Sequence, residues 1–324
     1  MKKTLIACLL TALMLLLGGC AEKKERVVIY TSMEDYRISW LDQRLKEEFP
    51  DYDVIVEYLS TGNHAARLLA EGEMSECDIT HNLEYGYLMK LEAADLLADL
   101  SGYDLSAYTQ DAVVSSAFIP QERNGGCIIV NTQVLEQRGL SEPKGYMDLL
   151  NPQYRGLISM PNPKASGTGY MFFKSLINAW GEEAALAYFD RLTENILQYT
   201  SSGSGPLNAV LQGEAAIGLG MTAPTVTQIN AGHPLRILYF EEGSPYSLYG
   251  QGIVSGKEGS SAVRHVFDFL VNEFTPENCE MFFPEPIYRD RVYATKNYPQ
   301  DIVYADMSGD SLQEKERLLE LWKY

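Results

Sequence analysis

Short β-branched runs alternate with amphipathic segments along most of the chain, and this alternation restricts the fold more than any other feature. Val27-Val28-Ile29-Tyr30 is followed by Thr31-Ser32 and then by Trp40, Leu41, Leu45 and Phe49 at helical spacing. Asp53-Val54-Ile55-Val56-Glu57-Tyr58 is followed by Thr61-Gly62-Asn63 and a helical pattern over 65–73. Each unit reads as strand, cap, helix. Neighbouring parallel strands need a crossover, so repeated units of this kind build a parallel sheet covered by helices. A third strand is expected at Cys77-Asp78-Ile79-Thr80 and a helix over 83–97. Further strands are expected over 126–131, 157–160, 215–220, 235–240 and 252–254, and helices over 170–180, 182–192, 207–213, 262–274 and 311–322. The chain is thus α/β. Its expected organisation is a first lobe over 27–120, a second over 121–237, a return to the first over 238–305, and a terminal helix in 306–324 packing on the second lobe.

The N-terminus carries a separate message. Met1-Lys2-Lys3 precedes an apolar run from Leu5 to Leu17, which ends in Leu17-Gly18-Gly19-Cys20. Such a run is shorter than the ~20 residues a helix needs to cross a bilayer, and its layout is that of a secretory signal. Small residues directly before a cysteine resemble a bacterial lipobox. That likeness implies removal of residues 1–19, lipid on Cys20, and residues 20–26 as a tether, with membrane attachment through the lipid alone. The expected location is the outer face of the cytoplasmic membrane, or the periplasm where an outer membrane exists.

The roughly 300 residues that follow are too many for one small core and suit two lobes. A formal charge of −18, spread along the chain, excludes nucleic acid as a natural partner. Cys77, Cys127 and Cys279 are odd in number and widely spaced, with no metal-ligand spacing among them. Cys127 lies in the apolar stretch Cys127-Ile128-Ile129-Val130 and reads as a buried thiol. Neither a nucleophile elbow nor a zinc-protease, phosphate-loop or paired-carboxylate motif occurs, so the sequence supports neither an enzyme nor a resident cofactor or metal.

The chemistry should lie at four strand-to-helix junctions: Thr31-Ser32, Thr61-Gly62-Asn63, Ser166-Gly167-Thr168-Gly169 and Ser201-Ser202-Gly203-Ser204-Gly205. In open parallel sheets, ligands bind beyond the carboxyl ends of the strands, where these junctions fall. Backbone N–H groups, hydroxyls and positive helix ends facing one another across a cleft make an anion site without lysine or arginine. A single Ser, Thr or Asn at a helix start is normally an N-cap, worth ~1 kcal/mol. The two serine-glycine loops supply more donors and glycines than one cap requires. Tyr30, Tyr85, Tyr87, Tyr170, Tyr199, Tyr246 and Tyr249 cluster near the junctions and read as half-buried core or pocket lining. His81 and Glu84, at a strand end, are expected to face the cleft, whereas His64 is expected on the exposed face of its helix.

Together, Val27-Val28-Ile29-Tyr30-Thr31-Ser32, Asp78-Ile79, Pro163-Lys164-Ala165-Ser166-Gly167-Thr168-Gly169-Tyr170 and Gln212-Gly213-Glu214-Ala215-Ala216-Ile217-Gly218 resemble type II periplasmic binding proteins. The likeness is to the subgroup that binds ferric ion, hexose phosphates, phosphoglycerate-related ligands and aminoethylphosphonate. It implies two lobes, each a mixed, mostly parallel sheet covered by helices, with hinge strands between them. It also implies a monomer that delivers a small anionic solute to the permease of an ABC importer by closing its lobes. Ferric members hold iron with adjacent tyrosines where this chain has Met221-Thr222-Ala223-Pro224-Thr225, so the resemblance favours a phosphorylated or phosphonate solute over iron. A ferric-ion-binding component of an iron importer is the alternative reading, and a secreted hydrolase a second one. The implied anion contacts are Ser32, Ser166, Thr168, Ser202 and Ser204, with Glu84, Tyr85 and Tyr249 meeting the rest of the ligand. Thr61, Asn63, Gly167, Gly169 and Gly203 complete the candidate set.

Overall fold

The computed structural model describes residues 24–291 and 293–324. The expected signal, Cys20 and the tether up to residue 23 lie outside the described residues.

From the N-terminus the chain forms β1 (Glu25–Thr31), α1 (Asp35–Glu48), β2 (Tyr52–Tyr58), α2 (Thr61–Glu71), β3 (Ile79–Glu84), α3 (Tyr85–Ala93) and the long strand β4 (Ile119–Asn131). It continues through α4 (Thr132–Arg138), β5 (Ile158–Pro161), α5 (Gly167–Trp180), α6 (Glu182–Leu192), β6 (Ile196–Thr200), α7 (Gly205–Leu211), β7 (Ile217–Met221) and α8 (Thr222–Asn230). The last elements are β8 (Leu235–Leu238), β9 (Tyr246–Ile253), α9 (Ser261–Phe269), α10 (Thr275–Met281) and α11 (Leu312–Leu321). The strands run in the order β2-β1-β3-β9-β4-β7-β5-β6, with β8 beside β4. At each end three strands are parallel, and the middle is antiparallel. This is the mixed α/β, two-lobed architecture expected from the chain length and the family resemblance, and the strand-helix alternation called for its parallel ends.

Alternation along the strands sorts side chains into cores. Val27 and Ile29 of β1 join Leu41, Ile79, Val266 and Phe274 on one face, whereas Val28 and Tyr30 join Leu68, Leu83 and Leu88 on the other. Successive strand residues point to opposite faces, and a strand covered on both faces becomes a continuous apolar run. β4 divides in the same way: Ile128 and Val130 face the core of α5 and α6, and Cys127 and Ile129 face Leu207 and Val210 of α7. Gly126 marks the change of partner within β4. Up to Gly125 the strand pairs with β9, and from Gly126 it pairs with β7.

Several elements differ from expectation. The third strand runs to Glu84, with a register shift between Thr80 and Leu83. At Asn82 the backbone is left-handed, with φ 54°, and the helix that follows is correspondingly shorter. β6, α4 and α8 carried too little periodicity to be predicted. The single helix expected over 262–274 is α9 followed by a π-helical turn, Leu270–Phe274, that leads into α10. His64 is not on an exposed face. It is fully buried, within 3.0 Å of Ser32 Oγ and Thr80 Oγ1, because α2 turns the His64-Ala65-Leu68 stripe inward. Burial pushes its pKa down to about 3.

Leu318 and Trp322 at the C-terminus enter the core of α5 and α6, where the indole meets Phe173 and Phe189 edge-on at 5.2 and 5.3 Å. Cys77, Cys127 and Cys279 are buried free thiols. Among the described residues no helix is long and apolar enough to cross a membrane.

Candidate ligand site between the lobes

A cavity of about 330 Å³ opens where the strand-to-helix junctions converge. One wall consists of Ser32 and the start of α1, Ser60 and Thr61 at the start of α2, Asn82 of β3, Asn124 of β4 and Tyr249 of β9. Opposite stand Ser166 and Thr168 at the start of α5, the loop from Ser201 to Ser204, and Met221, Pro224 and Gln228 around α8.

The hydroxyls at these helix starts are not spent on caps. Ser60, Ser166 and Ser204 occupy N-cap positions, yet none accepts a hydrogen bond from its own helix. By contrast, Ser260 and Ser311 cap α9 and α11 through their hydroxyls. Ser202 Oγ lies 3.2 Å from Ser204 Oγ, and Ser32 Oγ is held by the His64 ring. Glycine sets how closely the two loops approach: a side chain at Gly203 would run into Thr168. At Gly169, a Cβ would stand 2.5 Å from the carbonyl oxygen of Pro161. Small residues therefore hold the two serine-bearing loops together.

Of the sequence-predicted residues, Ser32, Thr61, Ser166, Thr168, Ser202, Gly203, Ser204 and Tyr249 line this one cavity. Gly167 lies behind it, its Cβ position 3.1 Å from the Tyr249 hydroxyl. Gly169 packs on the Pro161–Pro163 loop. Three predicted contacts lie elsewhere. Asn63 is exposed on α2. Glu84 accepts from the Gly86 N–H at 3.0 Å and pairs with Lys315. Tyr85 is buried and donates to the carbonyl of Ala112 at 2.6 Å. His81 is likewise buried, 3.1 Å from Thr31 Oγ1 and 2.9 Å from Gln121 Nε2. Burial, helped by the neighbouring Arg37 guanidinium, holds its pKa well below the ordinary value.

Sequence reasoning missed Asn82, Asn124, Glu34 and Asp35 as lining residues. One signal was available: the polar run Gln121-Glu122-Arg123-Asn124 interrupts an apolar one. Asn82 and Asn124 are 2% and 4% exposed, and Asn82 Nδ2 and Asn124 Oδ1 have no hydrogen-bond partner. Buried polar atoms are normally paired, and both residues line the cavity, so their unpaired amides mark them as candidate ligand contacts. No lysine or arginine is among the described lining residues. Arg37, behind the wall, is fully buried and bound by Glu122 and Glu34. Among the described residues no three His, Cys, Asp or Glu side chains gather closely enough to hold a metal ion.

A cleft lined by junction loops, between sheet halves joined through β4 and β9, defines a binding protein of the type II periplasmic fold. Over residues 95–294 the chain matches the family of bacterial extracellular solute-binding proteins, and it belongs to that family. An uncharacterized protein of Haemophilus influenzae is 26% identical over 280 residues, covering 83% of this chain and 79% of that one. The phosphoglycerate transport regulatory protein PgtC of Salmonella typhimurium is 23% identical over 212 residues, which cover 64% of this chain but only 51% of PgtC. Among solved structures, the periplasmic binding protein AfuA of Actinobacillus pleuropneumoniae, with fructose-6-phosphate bound, matches at TM-score 0.83 and 21% identity, covering 93% and 98% of the two chains. Iron-bound HitA of Pseudomonas aeruginosa matches at 0.74 and 17%, covering 92% and 98%.

Proposed function

We propose that this solute-binding protein serves an ABC importer, exported and anchored by lipid on Cys20, and that it captures a small phosphorylated or phosphonate solute without chemical turnover. Lobe one would comprise residues 27–120 and 238–305, and lobe two residues 121–237 with the terminal helix upon it. Ligand bridging the lobes favours the closed form, which the permease reads; only a ligand with differential affinity for the closed state can transmit that signal.

The observation that carries the reading is the set of uncapped hydroxyls at Ser60, Ser166 and Ser204 around one cavity. They supply donors to anionic oxygens, and no lysine or arginine is among the described lining residues. Likeness to a fructose-6-phosphate-bound protein and to a phosphoglycerate transport regulatory protein adds support. The test is thermal unfolding of metal-stripped protein against hexose phosphates, phosphoglycerates, phosphonates, inorganic phosphate, thiamine and ferric citrate. A ligand at ~100 times its Kd adds ~2.7 kcal/mol, enough to raise Tm by several degrees. Replacing Ser166 and Thr168 together with alanine should then weaken the responding anion at least tenfold, at ~1–1.5 kcal/mol per lost hydrogen bond. A response to ferric citrate alone, or unchanged affinity in the double variant, refutes the anion reading.

A further inference from the structure

Ser32 lines the cavity across from Ser166, Thr168, Ser202 and Ser204, and behind it a short polar chain runs into the core. Ser32 Oγ is 3.0 Å from His64 Nδ1, and His64 Nε2 is 3.0 Å from Thr80 Oγ1. His64 and Thr80 are fully buried. A hydroxyl has one hydrogen to give, and a neutral imidazole has one protonated and one bare nitrogen. Burial pushes the His64 pKa down to about 3 and so keeps the ring neutral. Two proton arrangements are then open. With the proton on Nε2, the ring donates to Thr80 and accepts from Ser32, and the Thr80 hydrogen is sealed in the interior, because the described residues give Thr80 Oγ1 no second partner. With the proton on Nδ1, Thr80 donates to Nε2, the ring donates to Ser32, and every buried group in the chain is paired. Native interiors pair their polar groups, and the bond made at one ring nitrogen fixes the state of the other.

We propose that His64 is a positioning residue that carries its proton on Nδ1 and thereby, with Thr80 behind it, commits Ser32 to donate its own hydrogen to the ligand. Among the described residues Ser32 Oγ meets no partner except the ring, so that hydrogen has no acceptor within the protein. Accepting from the ring also polarises the Ser32 hydroxyl and strengthens its donation. On the anion reading of the opposite wall, on which this rests, the first wall then donates as well. The anionic group is bridged between the two walls instead of being held by the serine-glycine loops alone.

Two-bond proton–nitrogen spectra of the full-length protein in detergent, isotope-labelled at its histidines, separate the tautomers. Nε2 is the ring nitrogen coupled to both carbon-bound protons, and in His64 it should resonate as a bare nitrogen. S32A, at a half-buried position, should shift the His64 Nδ1 signal and so assign it. Calorimetry with inorganic phosphate and fructose-6-phosphate reads the consequence for binding. An asparagine amide nitrogen sits where the imidazole Nδ1 does and a glutamine amide where Nε2 does, so H64N keeps a donor for Ser32 and H64Q keeps only the contact with Thr80. H64Q should weaken the responding anion about fivefold, the size of one hydrogen bond, and H64N by less than about twofold. In S32A the H64Q change should have no further effect, a coupling that a merely structural role would not produce. Should both His64 variants fail to fold, the tautomer read in the unaltered protein still decides. A protonated Nε2 on His64, or equal losses from H64Q with and without the Ser32 hydroxyl, overturns the assignment and leaves the anion reading intact. Binding of neither anion, with Nε2 bare, refutes the anion reading and with it the donation from Ser32.

Discussion

Lys315 and Glu84 offer a sharp test of how the C-terminus is held. The two side chains are 4% and 3% exposed and form an ion pair, and the ammonium also lies over the rings of Tyr87 and Tyr170, 4.3 and 4.6 Å from their centres. Gly86 makes room for it, since a Cβ there would stand 2.8 Å from Lys315 Nζ. Burial works against the charge on Lys315, yet the Glu84 carboxylate more than offsets that and leaves the lysine pKa raised. Lys315→Met keeps the buried stem and strands the Glu84 charge, and removing one partner of a buried pair costs ~3–5 kcal/mol. At roughly 2 °C per kcal/mol for a chain of this size, Tm should fall by roughly 6–10 °C. The double variant K315M/E84Q should regain most of the loss, because neutral, well-packed groups replace a buried pair at little net cost. Urea unfolding of the four proteins at constant slope gives the coupling energy. A coupling below ~1 kcal/mol refutes the reasoning, since it would mean that Glu84 finds water once Lys315 is gone.

Three further expectations follow from the same geometry. His64 is held at a pKa of about 3 by burial and His81 well below the ordinary value by burial and Arg37. Both are depressed from an unfolded value of ~6.5, so their contribution is present above that pH and lost as pH falls toward the folded pKa, at ~1.4 kcal/mol per pH unit for each ring. Urea midpoints at pH 7, 6 and 5 should decline accordingly and less steeply in H64Q, and a flat profile would count against two neutral buried rings. Asn82→Gly keeps the φ of 54° without steric cost and retains the main-chain bond to Gln121 Oε1 at 2.9 Å; stability should stay within ~1 kcal/mol while ligand affinity drops about fivefold or more, read by calorimetry. Gly169→Ala places its Cβ 2.5, 2.7 and 2.8 Å from main-chain atoms of Pro161, Asn162 and Pro163, so α5 must draw back. The expected cost is ~1–3 kcal/mol in urea unfolding, with weaker binding because Ser166 and Thr168 ride on the same turn.

Much of the fold was legible in the chain because buried strands and amphipathic helices leave different periods in sequence. β1, β2, α5 and α6 fall close to where β-branched runs and apolar spacing put them. β6, α4 and α8 did not announce themselves, being short segments whose stability comes from neighbours rather than from their own pattern. The serine-glycine loops were also readable, since a helix start needs one donor-accepting group and these carry several.

Two of the misplaced contacts share a cause. Glu84 and Tyr85 sit at a strand-to-helix junction, as several cavity-lining residues do, but Lys315, more than two hundred residues on, takes the one, and the Ala112 carbonyl takes the other. Conversely, that the amides of Asn82 and Asn124 are left without partners became visible only once every neighbour was in place. The sequence by itself determined much of the secondary-structure alternation, the α/β class and the donor-rich loops, all properties of local pattern, while chain length and the family resemblance pointed to the two lobes. Which polar groups are consumed by internal partners and which remain free for a ligand was decided by the tertiary structure alone, because a hydrogen bond depends on distance in space rather than along the chain.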